Sequence, residues 1–353
     1  MKKLLQLSLL LTLILTLALP MLATERPEVA RAVTWLLDQQ QSNGGFTNGF
    51  AAGSDLGATV EVILASVAAG EDPHTWTSSP LDYLQTQVVS GAVQDTGGWS
   101  HVLLGAVALG ADPHNFGGVD LVESLLATAD PVTGRFGDSL YAHAYALLAL
   151  HNAGAEITAG AVELLLQAQT SAGAWPMFDG DSVDTNTTAL AVQALVATGE
   201  EEAARDALIY FQAMQNDDGG FPWQKPSDFG TDSDANSTSV VLQALTALGE
   251  APDDWQPEGS SPLDALLALW EEESGGYRWQ AAIPGANVLA TAQAVQAVAG
   301  LNLTEVAQSA AAEPAPLLPA SGGTPWKLYI PLSGLLLIVA GLLLHRQEAN
   351  TGK

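Results

Sequence analysis

The chain has no cysteine, and its 11 lysine and arginine residues face 39 aspartates and glutamates, for a formal net charge of -28. Without thiols, disulfides, thiolate zinc sites and cysteine nucleophiles are excluded together. Between Glu25 and Gly323 only six basic residues occur. A surface this acidic repels phosphate backbones and anionic lipid, which excludes nucleic acid as a partner. The same surface welcomes divalent cations, and an exported chain without disulfides must draw its stability from its core and from such ions.

What is present is a repeat. QSNGGF ends at Phe46, TGGW at Trp99, TGRFG surrounds Phe136, QTSAGAW ends at Trp175, QNDDGGF at Phe221 and ESGGY at Tyr277. Each lies between two runs with apolar residues at three- and four-residue spacing, the mark of amphipathic helices. The runs that follow the turns end at Gly70, Gly110, Gly154, Gly199, Gly249 and Gly300, and glycine is the usual residue just past a helix end. These second helices are rich in alanine, so they can pack closely on both sides. Six such units predict an all-α fold, an α6/α6 toroid with an inner ring of six helices whose polar starts gather at one end of a central cavity. An open superhelix of helix pairs is the alternative, and six copies favour closure.

The toroid is expected over residues 24–304, long enough to bury about three quarters of its unfolded surface. Residues 1–23 read as a secretory signal: MKK, an apolar stretch, then small residues before Thr24. An uncleaved anchor is the other reading. Residues 305–326 form an Ala/Pro/Gly linker, 327–345 a transmembrane helix and 346–353 a cytoplasmic tail. The apolar run Leu328 to Leu344 is 17 residues long, near the lower limit for spanning a bilayer. Trp326 and Tyr329 suit an interface, and Arg346 and Lys353 a cytoplasmic end. This places the toroid outside the membrane. The stretch LPASG, Leu318 to Gly322, resembles the sortase signal LPXTG with Ser321 at the Thr position, so sorting and plain anchoring both stand.

Gln169, Gly173 and Trp175 in QTSAGAW, Gln215, Gly219 and Phe221 in QNDDGGF, and Gln40 to Phe46 resemble the QW repeats of squalene and oxidosqualene cyclases. The chain thus resembles the prenyltransferase and squalene oxidase repeat superfamily, which also holds protein prenyltransferases and the cobalamin carriers intrinsic factor and transcobalamin. In that superfamily such turns tie helix pairs together. The residues themselves agree: glycine for the bend, an aromatic wedge between helices, and a side-chain amide for loop backbone groups.

Chemistry is sought at the inner-helix starts. VDTNTTALAVQAL, Val183 to Leu195, resembles the Asp-X-Asp-Asp-Thr-Ala motif with which squalene-hopene type cyclases protonate their substrate. Asp184 takes the first position, but Asn186 stands where the family has its proton donor, and an amide cannot supply that proton. Asn236 stands likewise in DANSTS, Asp234 to Ser239. Asp184 and Asp234 also read as ordinary N-caps. The aspartate cluster that ionises prenyl diphosphates and the cysteine of the prenyltransferase zinc site are both missing. His143, beside Tyr141 and Tyr145, reads either as a cavity acid or base or as a buried helix histidine. Asp179, Asp181 and Asp184 place three carboxylates within six residues, which suits Ca²⁺ or a solvated acidic loop.

The resemblance of DTNTTALAVQAL to the inner helices of the transcobalamin and intrinsic factor α domain implies a cell-surface carrier. Its ligand would be a corrinoid-like or isoprenoid, bulky and partly apolar molecule, held by Tyr141, His143, Asp184, Asn186, Asp234, Asn236 and Asn287. Those carriers close over their ligand with a second domain that this chain lacks, which calls for a partner protein as lid. An exported terpenoid-cyclase-like enzyme using His143, Asp184 and Asp234 is the alternative, and a structural cell-envelope module the second.

Overall fold

A computed structural model of the chain describes residues 26–49 and 53–306. Among these residues it is all helical, with isolated β-bridges and no strand. The inner helices are α2 (Leu56–Ala68), α4 (Thr96–Ala108), α6 (Leu140–Asn152), α8 (Thr185–Ala197), α11 (Ala235–Ala247) and α13 (Val288–Val298). The outer ones are α1 (Pro27–Asp38), α3 (Pro80–Val89), α5 (Leu121–Leu126), α7 (Ala159–Gln167), the broken pair α9 (Glu201–Arg205) and α10 (Ala207–Met214), and α12 (Pro262–Leu267).

Each inner helix packs on the next, and α13 packs on α2, so the ring closes. Every inner helix starts at a side-chain cap: Asp55, Asp95, Ser139, Asp184, Asp234 or Asn287 accepts from the backbone N–H three residues on. Such a cap contributes about 1 kcal/mol. Each ends at the expected glycine, with φ between +65° and +88°. Being buried on nearly all sides, these helices carry apolar residues around their circumference rather than on one stripe.

The turns are joints. Gln40, Gln169 and Gln215 each donate through Nε2 to the carbonyl of their own turn's glycine, Gly44, Gly173 or Gly219. The same nitrogen also donates to a carbonyl of the next repeat, that of Ser78, Ala203 or Trp255. At Gly219, φ is +88° and an added Cβ would lie 2.4 Å from the Ser260 carbonyl oxygen, so only glycine lets the turn touch the start of α12. The last joint closes the circle: a Cβ on Gly275 would come to 2.9 Å from Arg31 O on α1. Arg31 in turn donates to Glu272 O and lies 5.2 Å above the Trp270 ring.

Behind each joint aromatic, one side chain a turn into the inner helix accepts the aromatic residue's backbone N–H. Thr59, Thr188, Thr238 and Thr291 do so for Phe46, Trp175, Phe221 and Tyr277 at 2.8–3.1 Å. His143 holds the same position in the third repeat. Its Nδ1 accepts from Phe136 N at 3.0 Å and its Nε2 donates to Ala161 O at 2.9 Å, with the side chain fully buried. It is a structural joint facing α7, not a group of the central cavity.

The second repeat departs from expectation. TGGW is no turn: Asp95 caps Gly98 N and draws the stretch into the first turn of α4. Five joints of this type therefore hold six helix pairs.

The presumed signal, the linker beyond Val306, the LPASG stretch, the apolar run 327–345 and the tail lie outside the described residues. No helix among the described residues is long and apolar enough to cross a membrane.

Two outcomes follow. Gly219→Ala should cost about 3 kcal/mol or more, combining left-handed strain with the backbone clash. Gly180→Ala, at φ +86° with nothing within 4 Å, should cost only about 1 kcal/mol in the same denaturant titration. Burial, aided by Arg135, holds the His143 pKa below its ordinary 6.5. Protonation would also set an Nδ1 proton against the Phe136 N–H. The unfolded chain therefore binds this proton more readily, and stability is lost as pH falls through about 6.5 toward the lowered folded value. His143→Thr, which imitates the other repeats, should weaken that dependence between pH 7 and 5 in thermal melts.

Candidate functional site

Aligning the inner helices on their caps stacks their lumen-facing residues in levels. Two residues past the cap stand Gly57, Gly97, Tyr141, Asn186, Asn236 and Leu289, all half-buried at the mouth. Six past the cap stand Glu61, His101, Tyr145, Leu190, Val240 and Gln293. Nine past the cap, Gln193, Gln243 and Gln296 are buried.

Hydrogen bonds run across these levels. Asn236 Nδ2 donates to Gln293 Oε1 at 2.7 Å, Gln243 Nε2 to Gln296 Oε1 at 3.3 Å, and Gln296 Nε2 to Glu61 Oε2 at 2.7 Å. At the far end the strand of chain after α13 enters the ring. Leu303 N donates to Gln193 Oε1 and Leu303 O accepts from Asn152 Nδ2, while Leu301, Leu303 and Val306 join the core. The axis is thus plugged at the inner-helix ends, and at the level six past the caps only His101 and Gln293 are more than marginally exposed.

Glu61 is the one acid on the six inner helices and is 8% exposed. Desolvation raises its pKa above 4.5; hydrogen bonding from Gln296 and the nearby His101 oppose the rise in part. His101 stacks on Tyr145 with ring centroids 4.5 Å apart, and Tyr141 stacks on Tyr145 at 6.4 Å. Burial, reinforced by the Glu61 carboxyl across the lumen, pushes both phenols up. Tyr145 Oη and Asn186 Oδ1 are buried and have no hydrogen-bond partner among the described residues.

Of the residues expected at the site, Tyr141, Asn186 and Asn236 reach the mouth. Asp184 and Asp234 are buried N-caps, accepting from Thr187 N and Ser237 N at 2.8 Å. Burial raises their pKa values, opposed by those same donors. Asn287 caps α13 through Ala290 N. The calcium reading fails on geometry. Asp184 turns inward as a cap, Asp179 pairs with Arg135 at 2.5 Å, and no group of three or more metal-ligating side chains forms among the described residues. The sequence reading passed over Glu61 and His101. A signal existed: each is a titratable residue six past its cap, inside an otherwise apolar inner helix.

Around the mouth the carbonyl two residues past a joint aromatic accepts the first N–H of the preceding inner helix. Met177 O takes Leu140 N, Trp223 O takes Thr185 N and Trp279 O takes Ala235 N, each at 2.8 Å. This stitch satisfies otherwise orphaned helix donors. It sets Trp223 and Trp279, 38% and 40% exposed, on the rim beside Phe229 at 86%.

The prenyltransferase alpha-alpha toroid domain matches residues 6–102 and 140–256. No curated protein matches by sequence. Among solved structures, the apo type II terpene cyclase MstE from Scytonema is similar at a TM-score of 0.59 and 15% identity, covering 80% of this chain and 97% of the cyclase. A variant of that cyclase with its substrate geranylgeranyl dihydroxybenzoate gives 0.56 and 14%, over 79% and 97%. Candida albicans protein geranylgeranyltransferase-I complexed with GGPP gives 0.56 and 11%, over 76% and 90%. At these identities the solved structures attest the fold alone. With a closed helical ring, its joints and a match over more than half of its length, the chain belongs to the prenyltransferase alpha-alpha toroid domain family.

Proposed function

We propose that the toroid is an exported, membrane-tethered binding protein that takes a bulky, partly apolar molecule of the isoprenoid class at the open end of its lumen. One observation carries this reading: Glu61 is kept buried as an ionisable group, opposite a Tyr145 hydroxyl with no partner. Burial destabilises the Glu61 carboxylate although Gln296 donates to it, and the Tyr145 hydroxyl, like those of Tyr210 and Tyr277, has no partner among the described residues; a ligand at this level would supply one. The neighbours whose complexes hold geranylgeranyl groups support the ligand class. The exposed Trp223, Phe229 and Trp279 extend the apolar path outward and suit a lid from a partner chain. The C-terminal apolar run, by membrane insertion or by sorting at LPASG, holds the toroid at the cell surface.

A second reading is favoured by Glu61 and His101 standing at one level on adjacent inner helices: an acid and a base so placed can move protons through a bound molecule, as an enzyme of the cyclase type would require.

Native mass spectrometry of the purified full chain with geranylgeraniol, squalene and a corrinoid, followed by extraction of the ligand, separates the readings. The expected result is a one-to-one adduct with an isoprenoid, recovered unchanged. An isomerised product makes the protein an enzyme, and no adduct with any of the three leaves a structural module.

The second outcome concerns stability. Because the folded Glu61 pKa is raised, the folded state binds the proton more readily than the unfolded one. Its destabilisation is full above the folded pKa and fades as pH falls through that value toward 4.5. Glu61→Gln should raise the melting temperature at pH 7.5 by about 2–4 °C, with the gain shrinking on acidification, while weakening the adduct. Lower stability together with undiminished binding would contradict the proposal.

A further inference from the structure

The second level of the lumen holds a hydrogen-bond donor and an acceptor that the protein leaves unused. Tyr145 is 2% exposed, and its hydroxyl has no partner among the described residues. His101 Nδ1 lies 2.7 Å from the Gly97 carbonyl oxygen. A carbonyl only accepts, so Nδ1 carries the proton, and in the neutral ring Nε2 holds a free lone pair. Among the described residues the His101 ring makes its hydrogen bond through Nδ1 alone. Above it stands Gly57, where a Cβ would come to 3.3 Å from Nε2, and the neighbouring mouth position is Gly97. Gly57 thus leaves this nitrogen uncrowded on the α2 side. The stacking of the two rings at 4.5 Å makes the donor and the acceptor parts of one packed unit.

The charge at this level is also informative. The carboxyl of Glu61 accepts from Gln296, and none of the six basic residues of the described chain stands on an inner helix. Arg31 binds Glu272 and Trp270, Arg135 binds Asp179, and Arg205 binds Glu201 and Glu250.

We propose that this level receives a neutral hydroxyl, the alcohol end of an isoprenoid or terpenoid ligand, which donates to His101 Nε2 and accepts from the Tyr145 hydroxyl. The inference rests on the reading that the lumen takes an isoprenoid-class molecule, and it specifies the polar end. A hydroxyl is the smallest organic group that offers one donor and free lone pairs together. A diphosphate brings acceptors and negative charge to a level that holds Glu61 and no cation, so it cannot use Nε2 and is repelled. An ether accepts from Tyr145 but leaves Nε2 unmet. The apolar body of the alcohol then rises past Tyr141 to the Trp223 and Trp279 rim.

The test is calorimetric titration of the purified full chain with geranylgeraniol, its methyl ether and geranylgeranyl diphosphate. The alcohol should bind about tenfold or more tightly than either of the others. In His101→Phe, which keeps the aromatic stack, alcohol affinity should fall to that of the ether while ether affinity stays the same, and Tyr145→Phe should weaken alcohol and ether alike. The comparison of ligands on the unaltered chain stands even where a variant fails to fold. Equal binding of alcohol and ether, or tighter binding of the diphosphate, overturns the hydroxyl assignment and leaves the isoprenoid reading intact. Binding of none of the three overturns both and leaves the level to water.

Discussion

A buried backbone N–H must find an acceptor, and in this ring the N–H of each joint aromatic finds it one turn into the following inner helix. That bond fixes the aromatic ring relative to the helix axis. The capping residue four positions earlier fixes where the helix begins, and the glutamine amide of the best-formed joints fixes the turn to the next outer helix. Each joint therefore sets three elements at once. Where the threonine is replaced by His143, the larger side chain still supplies the acceptor and adds a donor that reaches α7. The joint tolerates a change of chemistry because what it needs is a lone pair at one place.

Closure turns this local rule into a lumen. Six inner helices in contact leave a narrow axis, and the side chains pointing into it must pack or hydrogen-bond with one another. The lower half does so through Gln193, Gln243 and Gln296 and the chain end at Leu303. The upper half does so through the Asn236–Gln293 bond and the stack of Tyr141, Tyr145 and His101, with glycines rather than side chains at the mouth on α2 and α4. The mouth is therefore asymmetric, glycine on one side and polar or aromatic on the other. The acidic exterior, by contrast, plays no part in the lumen, since its charges lie on outer helices and loops.

The fold was legible because its signals are local. A capping side chain, an alanine-rich run and a terminal glycine act within one helix, and Gln, Gly and aromatic act within one turn, so each copy can be read without its neighbours. TGGW misled because the same glycines follow Asp95 directly, and a cap competes for them. The three carboxylates from Asp179 to Asp184 were adjacent in sequence but separated in space by that same capping requirement. Glu61 and His101 were hidden for the opposite reason. They come together only across two helices whose relative register depends on the joints, and that register becomes visible only when the helices are aligned by cap instead of by turn.

The placement of the acids decides what chemistry the ring retains. Asp184 and Asp234 stand where a cyclase motif would begin, yet each spends a carboxylate oxygen on the first turn of its own helix. A cap is most effective as an anion accepting N–H bonds, whereas a proton donor must hold its proton against the same groups, so one carboxyl at that position serves the first role at the expense of the second. Asn186 and Asn236 beside them offer amides, which have no proton to give up at ordinary pH. The acid that remains lies one level deeper, at Glu61, flanked by His101 and the stacked tyrosines.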